Sequence, residues 1–66
     1  MKLGVLDIGS DKICCLIAVI EKDNQPKIDG IGYRDSRGIK SGIITDMELA
    51  QTSITSAIQA AEKMSG

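Results

Sequence analysis

The fold is decided by residues 3–20, which read LGVLDIGSDKICCLIAVI. Two apolar runs rich in β-branched residues, 3–8 and 13–20, flank the short polar stretch 9–12. Nearly continuous apolar runs of this length are typical of strands that are covered on both faces. A four-residue connection suits an antiparallel hairpin and is far too short for the crossover that parallel strands need. The sequence therefore predicts a β-hairpin and excludes the start of a Rossmann fold.

A third strand is predicted after the polar, turn-forming stretch 21–26. Residues 27–33 have strand composition, although glycines interrupt their alternation. Such glycines often mark a bulge, which we predict near Gly30. Pro26 stands at the start of this strand, where its missing N–H costs the ladder least. The three strands should form an antiparallel meander.

The last third of the chain has the pattern of one long helix. Its apolar residues recur at spacings of three and four, which predicts a single apolar face of about five turns; they are Met47, Ala50, Ile54, Ala57, Ile58, Ala61 and Met64. Thr45 and Glu48 match a capping box, with Ile44 and Leu49 placed as a hydrophobic staple. Gly66 offers a C-terminal stop. The small alanines on this face should let the helix pack closely against the sheet.

The order of elements predicts an α+β fold class, a three-stranded antiparallel β-meander followed by one long α-helix. Two strands that are apolar on both faces need cover on each side, and one helix covers one side only. The second layer would come from more chain or from another subunit, or would be absent. Unpaired strand edges and uncovered apolar surface predict self-association or poor solubility of the isolated chain.

Length and charge exclude several classes of function. A chain of 66 residues forms at most one small domain and is too short for a complete cofactor-binding enzyme. A formal net charge of -1 gives no electrostatic basis for binding nucleic acid or an anionic membrane. The N-terminus runs directly into strand pattern, and no apolar run approaches the roughly 20 residues of a membrane helix. We therefore predict a cytoplasmic chain.

The two cysteines are adjacent in the second strand. Side chains of Cys14 and Cys15 should point to opposite faces, where they cannot easily form a disulfide or share a metal. A redox or metal pair would need Cys-x-x-Cys spacing or nearby histidine, and the chain has no histidine. We predict reduced, buried thiols.

The hairpin turn combines side chains that suit a polyphosphate and its metal ion. Gly9 would let the backbone approach a ligand, Ser10 could donate to a phosphate oxygen, and Lys12 would supply positive charge. Asp7 would face a hydrated Mg²⁺. Aspartate and glycine are also the commonest turn formers, so a plain hairpin turn without a ligand remains open on the residues alone.

Residues 34–42 form a basic, glycine-punctuated segment before the helix. One interpretation is a solvated connection whose glycines turn the chain toward the next element. The other is a binding or contact loop that carries Arg37 and Lys40. The residues alone leave both interpretations open.

Two motifs resemble a known family. Residues 6–12, LDIGSDK, follow a start methionine and closely resemble the first phosphate motif of the actin, Hsp70 and sugar-kinase superfamily. The more selective string is 36–48, SRGIKSGIITDME, which resembles the corresponding segment of the FtsA family of bacterial cell-division proteins. The resemblance covers essentially the whole chain. It implies that residues 1–66 form the N-terminal part of an actin-like, ribonuclease H-like subdomain 1A, which is an incomplete domain.

The resemblance also implies roles for the residues of the turn. Asp7 would help to hold the water shell of Mg²⁺, Gly9 and Ser10 would line the β- and γ-phosphates of ATP, and Lys12 would neutralise phosphate charge. Asp11 stands where relatives usually carry a small hydroxyl residue. Its carboxylate is expected to point to solvent or to Lys12, because a carboxylate beside phosphates would repel them.

For function, the resemblance implies an N-terminal piece of a protein that binds ATP and Mg²⁺, self-associates into filaments and links FtsZ to the membrane. That protein would act at the cytoplasmic face of the inner membrane at the division septum. The FtsZ surface and the membrane contact would lie outside this chain. No residue here is assigned a catalytic role, and we expect no ATPase activity from the isolated chain, because phosphoryl transfer needs several separated elements.

Two alternatives remain open at this point. The first is another actin-like ATPase, such as a pilus-assembly relative, which would keep the first turn but lack the string 36–48. The second is a small structural or interaction module that binds no nucleotide and acts through its sheet edge and helix face.

Overall fold

The computed structural model describes all 66 residues, Met1–Gly66. Its elements in chain order are β1 (Lys2–Ile8), β2 (Lys12–Ile20), β3 (Pro26–Asp35), β4 (Ile39–Lys40), β5 (Ile43–Ile44) and α1 (Met47–Ser65). The first three strands form an antiparallel sheet in the order β1-β2-β3, and β4 and β5 form a separate antiparallel pair. This arrangement confirms the predicted α+β class, with a three-stranded meander followed by one long helix.

The third strand contains the predicted bulge. Ile17 of β2 lies opposite Gly30, whereas the next residue of β2, Ala18, lies opposite Ile28. Asp29 is therefore the extra residue of β3, as a bulge requires. The strand begins at Pro26, which confirms the predicted place of the only proline.

The helix packs on β2 and β3 through very close backbone contact. A Cβ atom added to Gly32 would overlap the carbonyl oxygen of Ala57, and one added to Gly30 would overlap that of Ala61. Ala57 and Ala61 are fully buried. Glycines on the strand and alanines on the helix thus bring the two backbones together, so the glycines that interrupted the strand pattern are packing residues.

One face of the sheet carries the core and the other is open. The alternation of β2 directs Ile13 and Cys15 toward α1, and both are buried. Residues on the opposite side, here called the open sheet face, have no helix over them; they include Leu3, Val5, Leu16, Ile28, Ile31 and Tyr33. Every residue of β1 is exposed, including Val5 at 56%. One helix thus covers one side of the sheet only, as expected, and β1 is exposed although its composition is typical of a strand covered on both faces.

The helix begins one residue later than the capping-box prediction required. Asp46 is the N-cap, and its Oδ1 accepts a hydrogen bond from the Leu49 N–H at 3.0 Å. Thr45 lies outside the helix because the N–H groups of both Thr45 and Asp46 donate to the Gly38 carbonyl, at 2.7 and 3.1 Å. The predicted Thr45 cap is wrong. The predicted stop is confirmed, since Gly66 caps the C-terminus through its N–H to Glu62.

The predicted apolar face of the helix is confirmed in the middle turns, but the prediction is wrong for the first and last turns. Met47 and Met64, in the first and last turns, are 66% and 65% exposed. Ser53 is buried among the alanines, at 6% exposure, and was not predicted to be there. Its hydroxyl accepts the Arg37 backbone N–H at 3.2 Å, which satisfies it inside the core.

Candidate phosphate-binding turn

The turn between β1 and β2 is tight and depends on glycine. Strand pairing continues to Ile8 opposite Ile13, at the base of the turn. The Gly9 N–H then donates to the Lys12 carbonyl oxygen at 3.0 Å. A Cβ atom on residue 9 would lie 2.9 Å from that same oxygen, which is closer than side chains tolerate. Gly9 is thus required by the local geometry of the turn.

Asp7 and Lys12 lie on the same side of the sheet. Asp7 is opposite Cys14, and Lys12 lies two residues before Cys14 in the same strand, so alternation places both on the open sheet face. Asp7 is exposed and makes no hydrogen bond or ion pair. Because β1 is exposed, this carboxylate remains in water and needs no partner. An exposed, unpaired carboxylate is free to hold the water shell of a cation.

Lys12 has a partner on the third strand. Its Nζ lies 2.5 Å from Asp35 Oδ1, and both side chains are exposed, at 49% and 78%. The hydrogen bond and charge of Asp35 raise the pKa of Lys12, and the nearby Asp11 charge raises that pKa further. The same bond lowers the pKa of Asp35. Asp11 is exposed and makes no ion pair.

Ser10 contacts a hairpin that sequence reasoning missed. Residues 34–42 were predicted to form a connecting loop. In the structure, β3 extends to Asp35, and residues 39 and 40 form β4 of the β4–β5 pair. The Gly42 N–H donates to Ser10 Oγ at 3.2 Å, and the Ser36 N–H donates to the Asp11 carbonyl at 2.9 Å. The hydroxyl hydrogen of Ser10 is still free to donate to a ligand.

The signal for this hairpin was present in the sequence. Ser41 and Gly42 have φ values of 50° and 77°, the left-handed conformations that tight two-residue hairpin turns require. The pair lies between the segments Ile39-Lys40 and Ile43-Ile44, and Ile39 of β4 is 7% exposed. The motif 36–48 and the turn 9–12 are therefore in direct contact.

The cysteines and the acidic residues do not form a metal site by themselves. Cys14 is half-buried and Cys15 is buried; both are free thiols, and burial raises the pKa of Cys15. No group of three or more histidine, cysteine, aspartate or glutamate residues is placed to hold a metal ion. A Mg²⁺ ion beside Asp7 would thus take its other ligands from water and from phosphate oxygens.

The structure brings all four predicted site residues to one end of the hairpin. Asp7 offers a carboxylate, Gly9 a close backbone, Ser10 a hydroxyl and Lys12 an ammonium group. These groups can bind a phosphate and a hydrated cation.

No helix in the structure has the length and apolar character needed to span a membrane.

Known proteins resemble this chain along nearly its whole length. It is 43% identical over 61 residues to the cell division protein FtsA of Borreliella burgdorferi, a match that covers 92% of the chain. The chain is an FtsA-like sequence. FtsA of Pseudomonas aeruginosa is 39% identical over 61 residues, a match that covers 92% of the chain. FtsA of Rhizobium meliloti is 34% identical over an alignment of 74 positions, which covers 97% of the chain.

The match covers only a small part of these relatives. The FtsA-like chain spans 15% of the length of the first two proteins and 17% of the third. No protein-family model matches the chain. The comparisons confirm the resemblance to FtsA, and the relatives that they match are named cell division proteins.

Proposed function

We propose that this FtsA-like chain supplies the first phosphate-binding turn of a longer actin-like protein that binds ATP with Mg²⁺ in bacterial cell division. The similarity to FtsA proteins over 92% or more of the chain supports the link to cell division. In this proposal residues 1–66 belong to the N-terminal part of subdomain 1A, and the remaining walls of the nucleotide cleft come from other parts of the longer protein.

The observation that carries the proposal is the convergence of four chemistries on one turn. Gly9 has no side chain, so the Lys12 carbonyl can approach its backbone closely. The Ser10 hydroxyl keeps a free hydrogen, and the Lys12 ammonium lies at the same end of the hairpin. Asp7 stands unpaired on the same face as Lys12.

The Lys12–Asp35 ion pair is compatible with phosphate binding by Lys12. Ion pairs between exposed side chains are weak because water screens them. A polyphosphate carries several negative charges, so it can compete with Asp35 for the Lys12 ammonium, which has three hydrogens to donate. In the proposed nucleotide-bound state Asp35 holds Lys12 near the turn, and the phosphates share the ammonium with it.

The proposal extends to the partners of the longer protein. It would self-associate into filaments, bind FtsZ and connect FtsZ to the cytoplasmic face of the inner membrane at the division septum. These surfaces are proposed to lie outside the FtsA-like chain. This chain would contribute nucleotide contacts and no membrane or nucleic-acid contact of its own.

A second candidate function is an interaction module that binds no nucleotide. The open sheet face favours it, since Val5, Ile28 and Tyr33 are 56%, 58% and 58% exposed on one side of the sheet. Exposed apolar surface of this kind is typical of protein contact sites. Nucleotide titration separates the two functions, because only the first requires a response to Mg²⁺ and ATP together.

The test is calorimetric titration of Mg²⁺–ATP into the protein at its full natural length. Asp7→Asn keeps the shape of the side chain and removes its charge, so affinity should fall about tenfold or more when Mg²⁺ is present. Without Mg²⁺ the same variant should bind ATP at least as well as the original chain. Asp23→Asn is the matched control, because Asp23 is exposed in a different turn. Equal affinities for both variants in Mg²⁺ would contradict the proposal.

A further inference from the structure

Positive charge also gathers in a groove between the end of β3 and the helix. The groove has a volume of about 240 Å³ and is lined by Arg34, Arg37 and a row of helix hydroxyls that includes Ser53 and Ser56. It lies on the helix side of the sheet, since Arg34 is opposite the buried Ile13. The candidate phosphate-binding turn displays its charged side chains on the other side.

Arg34 is fixed in place with donors to spare. Its Nε donates to Ser56 Oγ at 3.0 Å, and its Nη1 donates to the Tyr33 carbonyl at 2.6 Å. Two bonds of this kind set the plane of the guanidinium group. Because arginine carries five N–H donors, three remain without a partner. Arg34 makes no ion pair.

Arg37 places a second guanidinium at the same groove. Its backbone N–H donates to Ser53 Oγ at 3.2 Å, which attaches the residue to the helix. Its side chain makes no hydrogen bond or ion pair. The one carboxylate that lines the groove belongs to Asp35, and Lys12 already engages it. The groove therefore has two arginines and one carboxylate, which is paired with Lys12 and whose pKa the Arg37 charge also lowers.

We propose that this groove binds a phosphate-type oxyanion, either inorganic phosphate or a phosphomonoester, between the guanidinium groups of Arg34 and Arg37. The planar guanidinium matches the oxygens of phosphate and binds them in pairs. The hydroxyl of Ser56 accepts one hydrogen bond from Arg34 and keeps a hydrogen that can be donated to the anion. This site lies on the helix side of the sheet and shares one residue with the proposed nucleotide turn, Asp35, which lines the groove and pairs with Lys12.

The test is an NMR titration of the protein at its full natural length, with inorganic phosphate in one series and O-phosphoserine in the other. Saturable shifts are expected at the backbone amides of Arg37, Ser53 and Ser56. The variants Arg34→Gln and Arg37→Gln should each weaken binding about tenfold, since each removes a charged donor. Both side chains are exposed, so neither variant should disturb the fold.

The control is Lys27→Gln, which removes an exposed cation that lies 3.7 Å from Glu21, away from the groove. It should bind both ligands as the original chain does. Tighter binding of O-phosphoserine supports a phosphomonoester as the ligand, and tighter binding of inorganic phosphate supports the free anion. Shifts that do not saturate, or that persist equally in Arg34→Gln and Lys27→Gln, would overturn the proposal.

Discussion

The Lys12 ammonium nitrogen lies 2.5 Å from Asp35 Oδ1, so the end of the first hairpin is joined to the end of the third strand. The two residues are also direct partners in the β2–β3 ladder. Cross-strand partners are held at close range by the sheet itself, which limits the freedom that the lysine must lose to form the pair. The third strand thus positions the lysine of the candidate site.

This pair gives a prediction about pH. The bond to Lys12 lowers the pKa of Asp35, so its contribution is complete above about pH 4 and is lost as the pH falls through the lowered value. The pKa of Lys12 is raised, so its contribution is complete below about pH 10 and is lost at higher pH. The pair should therefore stabilise the fold between these limits.

NMR titration of the Asp35 carboxyl checks this directly. In Lys12→Gln the midpoint should move up toward the ordinary value for aspartate, while Lys22→Gln, which removes an exposed cation without a partner, should leave it unchanged. The effect of the lysine should also shrink in high salt, as for any exposed pair. An unchanged midpoint in Lys12→Gln would show that the pair does not exist in solution.

A second prediction concerns the close contact between strand and helix. Gly32→Ala should destabilise the fold by about 1–3 kcal/mol or more, because the added methyl group overlaps the Ala57 carbonyl. Gly4→Ala is the matched control, since a Cβ atom there has no neighbour within 4 Å. Urea unfolding followed by circular dichroism measures both. Equal midpoints for the two variants would mean that the helix does not lie against β3 as described.

The helix cap provides a third prediction. Asp46→Ala should cost about 1 kcal/mol of stability, because it removes the acceptor for the Leu49 N–H. Thr45→Ala should be nearly neutral, since the Thr45 side chain makes no hydrogen bond and only its backbone is used. The same unfolding measurement distinguishes them. A larger loss from Thr45→Ala would restore the capping-box interpretation.

The cysteines give a fourth prediction. Cys15 is 5% exposed and burial raises its pKa, so it should react slowly with iodoacetamide at pH 8. Cys14 is half-buried on the open sheet face and should be alkylated first. Mass spectrometry of Cys14→Ser and Cys15→Ser, each with one remaining thiol, compares the rates. Faster alkylation of the chain that retains Cys15 would contradict the assignment of faces.

The sequence was sufficient for elements whose pattern is local and was insufficient where the outcome depends on packing. Alternation, turn length and helical spacing predicted the meander, the bulge near Gly30 and the single helix. The role of Gly32 depends on which helix residue lies above it, and no local pattern contains that information. The buried Ser53 was missed for the same reason, since its hydroxyl is satisfied by a loop sixteen residues away in the chain.

The candidate site likewise has features that the sequence predicts and features that depend on packing. The side-chain types at residues 7–12 could be read directly, and their resemblance to a phosphate motif needed no structure. The pairing of Lys12 with Asp35 and the contact of Ser10 with Gly42 both join segments far apart in sequence. The exposure of Asp7 depends on the absence of a layer over β1, which strand composition could not reveal.

The most direct test of the proposed function uses Mn²⁺ in place of Mg²⁺, because both ions prefer oxygen ligands and Mn²⁺ broadens nearby NMR signals. The protein at its full natural length is titrated with Mn²⁺–ATP, and the broadening of each backbone amide is recorded. We predict the strongest broadening within this chain at residues 7–12, and its loss when Asp7→Asn is used with Mn²⁺–ATP at the same concentration. Broadening that is strongest at Arg34 and Arg37, or that persists unchanged in Asp7→Asn, would contradict the assignment of the first turn as the nucleotide site.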